Sequence, residues 1–148
     1  MAIIHYLNKI SMNLNKKLHN KYKTCSNYNS HILKFGVYGF KACKSSVLTE
    51  TNIDLLQRSI SGFLKKISKG SKTTKYWNRL QVNSTTTSLS PESRMGKGKG
   101  AILHKILYVK QGQIIFEFSS ISLPQISMIL SFINSKLPFS VKLLKRII

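Results

Sequence analysis

Apolar residues recur along this chain with two periods, and the switches between them divide it into elements. In Phe35-Gly36-Val37-Tyr38-Gly39-Phe40, large apolar residues alternate with glycine. Such alternation fits an extended strand, and the glycines let another backbone come close. The pattern predicts a strand from here through Ala42 toward Leu48. Ile53, Leu56, Ile60, Phe63, Leu64 and Ile67 then recur at steps of three and four, the period of a helix with one buried stripe. Thr51 and Asp54 supply its start signal and Gly70 its stop. Arg58, Lys65, Lys66 and Lys69 fall mostly off the stripe.

Tyr76 to Val82 reads as a strand. Ser84 to Ser93 is a serine and threonine run with little to pack, and reads as a loop. His104 to Val109 and Ile114 to Phe118 are apolar strand-type runs. Lys110-Gln111-Gly112-Gln113 separates them, which is a hairpin signal. Ser122 and Gln125 form a capping box with Pro124 in the first turn. Ile126, Ile129, Leu130, Ile133 and Leu137 mark a second amphipathic helix, which Pro138 ends. Phe139 to Leu144 predicts a last strand. No internal repeat is visible. The fold class is α+β, a mixed sheet with two main helices on one face.

Ahead of these elements, residues 1–31 are polar, basic and rich in asparagine, with Lys16, Lys17, His19, Lys21 and Lys23 clustered. Residues 1–33 read as a basic N-terminal arm that orders on a partner. Residues 34–148 form the domain.

Charge changes the picture most. The 148 residues carry 24 Lys+Arg against 4 Asp+Glu, a net charge of +20. With 42% hydrophobic residues the chain can also bury a core. A core inside so cationic a surface fits a polyanionic partner, nucleic acid first and an anionic membrane surface second. Glu50 and Asp54 lie near a helix start, where negative charge suits the helix dipole. Only Glu92 and Glu117 remain, without an evident structural role. General acid–base catalysis has little to recruit, so no enzyme and no catalytic residue is expected. Cys25 and Cys43 form no C-x-x-C pair and lack further ligands, so neither metal nor other cofactor is expected. The start, Met1 to Ile10, is a poor transit peptide. Lys136 and Pro138 interrupt the longest apolar stretch, so membrane insertion is not expected. Heavy use of Ile, Asn, Lys, Ser and Tyr resembles the product of an AT-rich, organelle-type genome.

The densest chemical signal is Arg94-Met95-Gly96-Lys97-Gly98-Lys99-Gly100. Alternating glycine and lysine give a loop that is cationic and can approach a phosphate backbone closely. A nucleotide-binding P-loop requires G-x-x-x-x-G-K followed by Ser or Thr, and here glycine follows each lysine.

With its neighbours the motif is more specific. Ser90-Pro91-Glu92-Ser93-Arg94-Met95-Gly96-Lys97-Gly98-Lys99-Gly100 closely resembles the signature of the L-sixteen family of large-subunit ribosomal proteins. Phe35-Gly36, Gly39-Phe40-Lys41-Ala42, Leu48-Thr49 and Ile53 resemble the family's first strands and helix start. Trp77 and Arg79 resemble its tryptophan–x–arginine strand. Gly112, Phe116-Glu117 and Lys136-Leu137-Pro138 resemble later family positions. The resemblance spans about residues 34–144. The chain departs from the pattern at Leu80 to Thr86, which lack a proline-rich turn, and at Gln111, where proline is usual. A family glycine is lost at Ser119-Ser120, and the arm matches only at Lys21-Tyr22-Lys23.

The resemblance implies a hammerhead-type α+β fold and a structural role on large-subunit rRNA. It implies a position near the peptidyl-transferase centre and acceptor-site tRNA, among neighbouring large-subunit proteins. Carried over by position, Arg94, Lys97 and Lys99 would meet phosphates, and Gly96, Gly98 and Gly100 would permit close approach. Met95, Lys41, Arg58, Lys65 and Arg79 complete the expected RNA-binding set. A mitochondrial ribosome is the expected location, with another organelle or a bacterial cytoplasm as alternative. No homo-oligomer is expected. The rival reading is a free basic module that binds nucleic acid or a membrane surface.

Overall fold

The computed structural model describes residues 16, 30–67, 74–94, 96 and 98–146. Seven strands and two helices follow in the order β1 (Tyr38–Ala42), β2 (Ser46–Thr49), α1 (Glu50–Ile67), β3 (Lys75–Asn78), β4 (Ser84–Ser88), β5 (Ala101–Val109), β6 (Ile114–Ser119), α2 (Leu123–Lys136) and β7 (Val141–Lys145). The α+β class is as expected. Its strands divide into two antiparallel sheets instead of one mixed sheet, with orders β3-β6-β1-β7 and β2-β5-β4.

One bent ribbon joins the two sheets. β1 pairs with β6, and β2 pairs with β5. Lys41 faces Ile114, and Ser46 faces Val109, so both partners advance five residues and the register is kept across the gap. Two expectations change here. The single strand from Phe35 toward Leu48 is broken at 43–45. The segment 110–113 is no hairpin, because β5 and β6 lie in different sheets and do not pair. It turns the ribbon while Gly112 N donates to Ala42 O at 2.8 Å, Ala42 N to Gln113 O at 2.9 Å and Gln111 N to Ser45 Oγ at 3.1 Å. Cross-chain bonds at the bend thus do what a hairpin's own bonds would have done.

The core lies between the four-stranded sheet and the helices. Phe40, Phe116 and Phe118 are fully buried with Leu56, Ile60, Ile126, Ile129 and Ile133 from the helices. Phe63 of α1 meets Phe132 of α2 edge-on, with centroids 4.9 Å apart. Tyr76 turns onto this face beside Phe118. Burial raises its phenol pKa, while a hydrogen bond with Ser61 of α1 acts the other way.

Element ends also move. α1 starts at Glu50 because Thr49, at the end of β2, caps it; its Oγ1 accepts from Asn52 N at 3.3 Å. The expected Thr51 signal lies inside the first turn. Gly70 and Lys69 lie outside the described residues. β3 stops at Asn78, and Leu80 to Asn83 carry no strand. The expected loop at 84–93 instead begins with β4, where Ser84 and Thr85 are buried. For α2 the capping half that rests on Gln125 is present, with Ser122 N donating to its Oε1 at 3.2 Å.

Candidate nucleic-acid interface

The glycine–lysine motif caps the hairpin of β4 and β5. The pair runs from Ser84 opposite Ile106 to Ser88 opposite Ala101, so residues 89–100 form its tip. The tip opens with a turn in which Ser93 N donates to Ser90 O at 3.0 Å, with Pro91 at the favoured second position. The Ser90 and Ser93 hydroxyls are 2.6 Å apart.

The motif's glycines have two jobs. Gly96 and Gly98 have φ of +98° and +84°, and nothing lies within 4 Å of where a Cβ would stand. Backbone conformation, not packing, selects glycine there. Gly100 is the opposite case: a Cβ would collide with the Ser88 carbonyl and lie 2.9 Å from Leu89 N. It lets the hairpin close. Arg94 and Lys99 are exposed, as are Leu89, Ile102 and Leu103 beside them. Lys16 of the arm donates from Nζ to Lys99 O at 3.1 Å. Met95 and Lys97 lie outside the described residues.

The remaining expected residues are spread over other elements. Arg58 and Lys65 are exposed on α1, off its buried stripe. Lys41 is half-buried on β1 in the other sheet. Arg79 follows β3 and is committed within the protein: its guanidinium pairs with Glu117. The structure therefore gathers the motif's described residues, Arg94, Gly96, Gly98, Lys99 and Gly100, at one tip and leaves Arg79 and Lys41 with a different sheet.

Glu117 is the residue that sequence reasoning missed. It sits in β6, fully buried, in register with Trp77 and Gly39. Oε1 takes the Arg79 guanidinium. Oε2 accepts the backbone N–H groups of Lys34, Phe35 and Gly36 at 3.0, 2.7 and 2.9 Å. Burial pushes its pKa up, but the bonds from Gly36 and Phe35 and the Arg79 contact outweigh this, and the net shift is downward. The carboxylate thereby pins the segment before β1 across the sheet face opposite the helices. Leu33 then reaches over Gly39, where a Cβ would collide with it. The available signal was a lone acid inside the apolar run Ile114-Ile115-Phe116-Glu117-Phe118 of a strongly cationic chain.

Among the described residues no group of three His, Cys, Asp or Glu is placed to hold a metal ion, and no helix is long and apolar enough to cross a membrane. The surface chemistry is cationic. Of the four acids, Glu117 is buried, and Glu50 lies 3.9 Å from Lys105.

Comparison with known proteins finds a family model and related sequences. The family model described as ribosomal protein L16p/L10e matches residues 11–144. The chain is 38% identical over 126 residues to large ribosomal subunit protein uL16m of Chondrus crispus, covering 85% of this chain and 91% of that one. It is 33% identical over 115 residues to uL16 of Thermosipho africanus, covering 78% and 77%. Against uL16c of Emiliania huxleyi it is 32% identical over 112 residues, covering 76% and 77%. With the family model spanning nearly the whole chain, and its signature glycines set at the tip of an exposed basic hairpin, the chain belongs to the L16p/L10e family of ribosomal proteins.

Proposed function

We propose that this chain binds large-subunit rRNA near the peptidyl-transferase centre, with the 89–100 tip reaching toward acceptor-site tRNA. Its family makes it a structural constituent of the large ribosomal subunit and not an enzyme. The finer reading rests on one observation. A cationic tip is exposed, built on two left-handed glycines and closed by a third that admits no side chain. Such a tip presents Arg94 and Lys99, with Lys97 between them in sequence, to phosphate oxygens without bulk between backbone and ligand. Arg58 and Lys65 add exposed cations on α1, and Lys41 adds a half-buried one on β1, on the other sheet from the tip. Arg79 acts mainly from within, through Glu117.

The mitochondrial ribosome is its place. The identity to a uL16m, 38%, stands above the 32% and 33% to the uL16c and uL16 relatives, and the AT-type composition agrees. Fractionation of organelle extracts tests the assignment. The chain should co-sediment with the large subunit and leave it only at high salt. A chain found free, or on membranes, would favour the rival basic module.

A further inference from the structure

The sheet face opposite the helices carries an aromatic pair that the tip does not use. Tyr76 points into the core beside Phe118, so Trp77, its neighbour on β3, lies on the other face. Phe35 lies over Trp77, centroids 5.8 Å apart and planes 22° from parallel. The Arg79 guanidinium stands 5.9 Å from the Phe35 ring. Despite these contacts Phe35 is 58% exposed. A ring so exposed gains little from burial, yet it is held in place: its backbone N–H is bound to Glu117 at 2.7 Å. Two cations frame the pair. Lys34 precedes Phe35, and Lys75 lies two residues before Trp77 on the same face of β3; both are exposed. Neither lysine belongs to the Arg79–Glu117 or the Lys105–Glu50 ion pair.

Rigid exposed aromatics flanked by lysines are the means by which proteins take up unpaired bases. The ring stacks on the base face while the cations meet the adjoining phosphates. We infer that Phe35, backed by Trp77, is a stacking platform for an unpaired nucleobase of the rRNA, with Lys34 and Lys75 on its flanking phosphates. The inference rests on the rRNA reading above and adds a second contact, on the other sheet from the tip. Arg79 and Glu117 are its positioning residues, since they fix the segment that carries the ring.

The test uses the full-length chain and two single-stranded probes of equal length. One is a hexauridylate with 5-iodouridine at its centre; the other is the same backbone without bases. The base-bearing probe should bind about tenfold more tightly, the scale of one base–aromatic stack. Irradiation should cross-link it at Phe35 or Trp77, as located by mass spectrometry. Phe35→Leu keeps the backbone bond to Glu117 and an apolar cover, and should bring both probes to equal affinity. Phe35→Tyr should retain the difference. If the leucine variant melts early, the tyrosine variant and the cross-link in the unaltered chain still decide. Equal affinity of the unaltered chain for both probes, or cross-links only at other residues, would overturn the platform while leaving phosphate-driven RNA binding intact. Failure of both probes to bind at low salt would overturn the rRNA reading and the platform together.

Discussion

Glu117 and the hairpin tip carry the same family resemblance for opposite physical reasons. Glu117 is a buried charge with its partners complete: one guanidinium and three backbone N–H groups. The tip holds exposed cations among glycines, and at 96 and 98 an added Cβ would meet nothing within 4 Å. One region spends its chemistry inside the protein, the other offers it outward. A short motif match cannot tell these apart, because both are charged residues within stretches that resemble the family. Burial separates them. Arg79 and Arg94 appear alike in the sequence, yet Arg79 is paired within the fold and Arg94 is exposed.

The largest effect should follow loss of the Glu117 carboxylate. Glu117→Ala strands three backbone donors and leaves the Arg79 charge without its counterpart. Breaking one partner of a buried pair costs about 3–5 kcal/mol. Thermal melting of the purified variant should show a collapse, whereas a change within about 0.5 kcal/mol, the range of ordinary surface substitutions, would remove Glu117 from the centre of the fold.

Acid should reproduce part of that loss. The folded-state pKa of Glu117 lies below its ordinary value of 4.5. The unfolded chain therefore takes up the proton first as pH falls. The stabilisation is complete above pH 4.5 and is lost as pH drops from there through the folded value. The melting temperature should decline over this window, and Glu117→Gln should flatten the decline. An equally steep decline in the glutamine variant would assign the acid sensitivity to other groups.

How much of this was legible in the sequence depends on what periodicity reports. Both helices were, since Ile53 to Ile67 and Ile126 to Leu137 keep a helical period that tertiary contacts reinforce. Strand direction was not. Residues 43–45 and 110–113 contain the polar and glycine residues of a turn, and local composition cannot show that they bend one ribbon instead of reversing it. β4 was invisible because Ser84 and Thr85 are buried by pairing with β5, without apolar side chains to announce it. The tip was legible as a motif, because Gly96 and Gly98 answer to local backbone demands, although the packing of Gly100 on Ser88 was not. Glu117 was legible only as an oddity, since its partners at 34–36 and 79 are distant in sequence.

A smaller effect of opposite sign belongs at Ser120. It has φ of +58°, the left-handed region, within the Ser119-Ser120 pair where the resemblance leads to the expectation of a glycine. Ser120→Gly should relieve that strain and stabilise the fold by about 0.5–1 kcal/mol after glycine's extra unfolded-state entropy is counted. A lowered melting temperature would show that the serine side chain contributes more than the backbone strain costs.

The smallest effect on the fold should come from the tip, paired with the largest effect on binding. Lys97→Ala with Lys99→Ala should alter stability by only about 0.5 kcal/mol, as for surface substitutions generally. Removing two phosphate contacts should also flatten the dependence of log affinity on log salt by about two units. The most direct test of the two-region account measures thermal melting of this double variant and of Glu117→Ala, beside acceptor-site tRNA binding by large subunits reconstituted with the double variant. The account predicts near-normal melting with weakened tRNA binding for the tip variant, and collapsed melting for Glu117→Ala. Collapsed melting of the tip variant with normal tRNA binding would contradict it, since the tip would then be part of the fold.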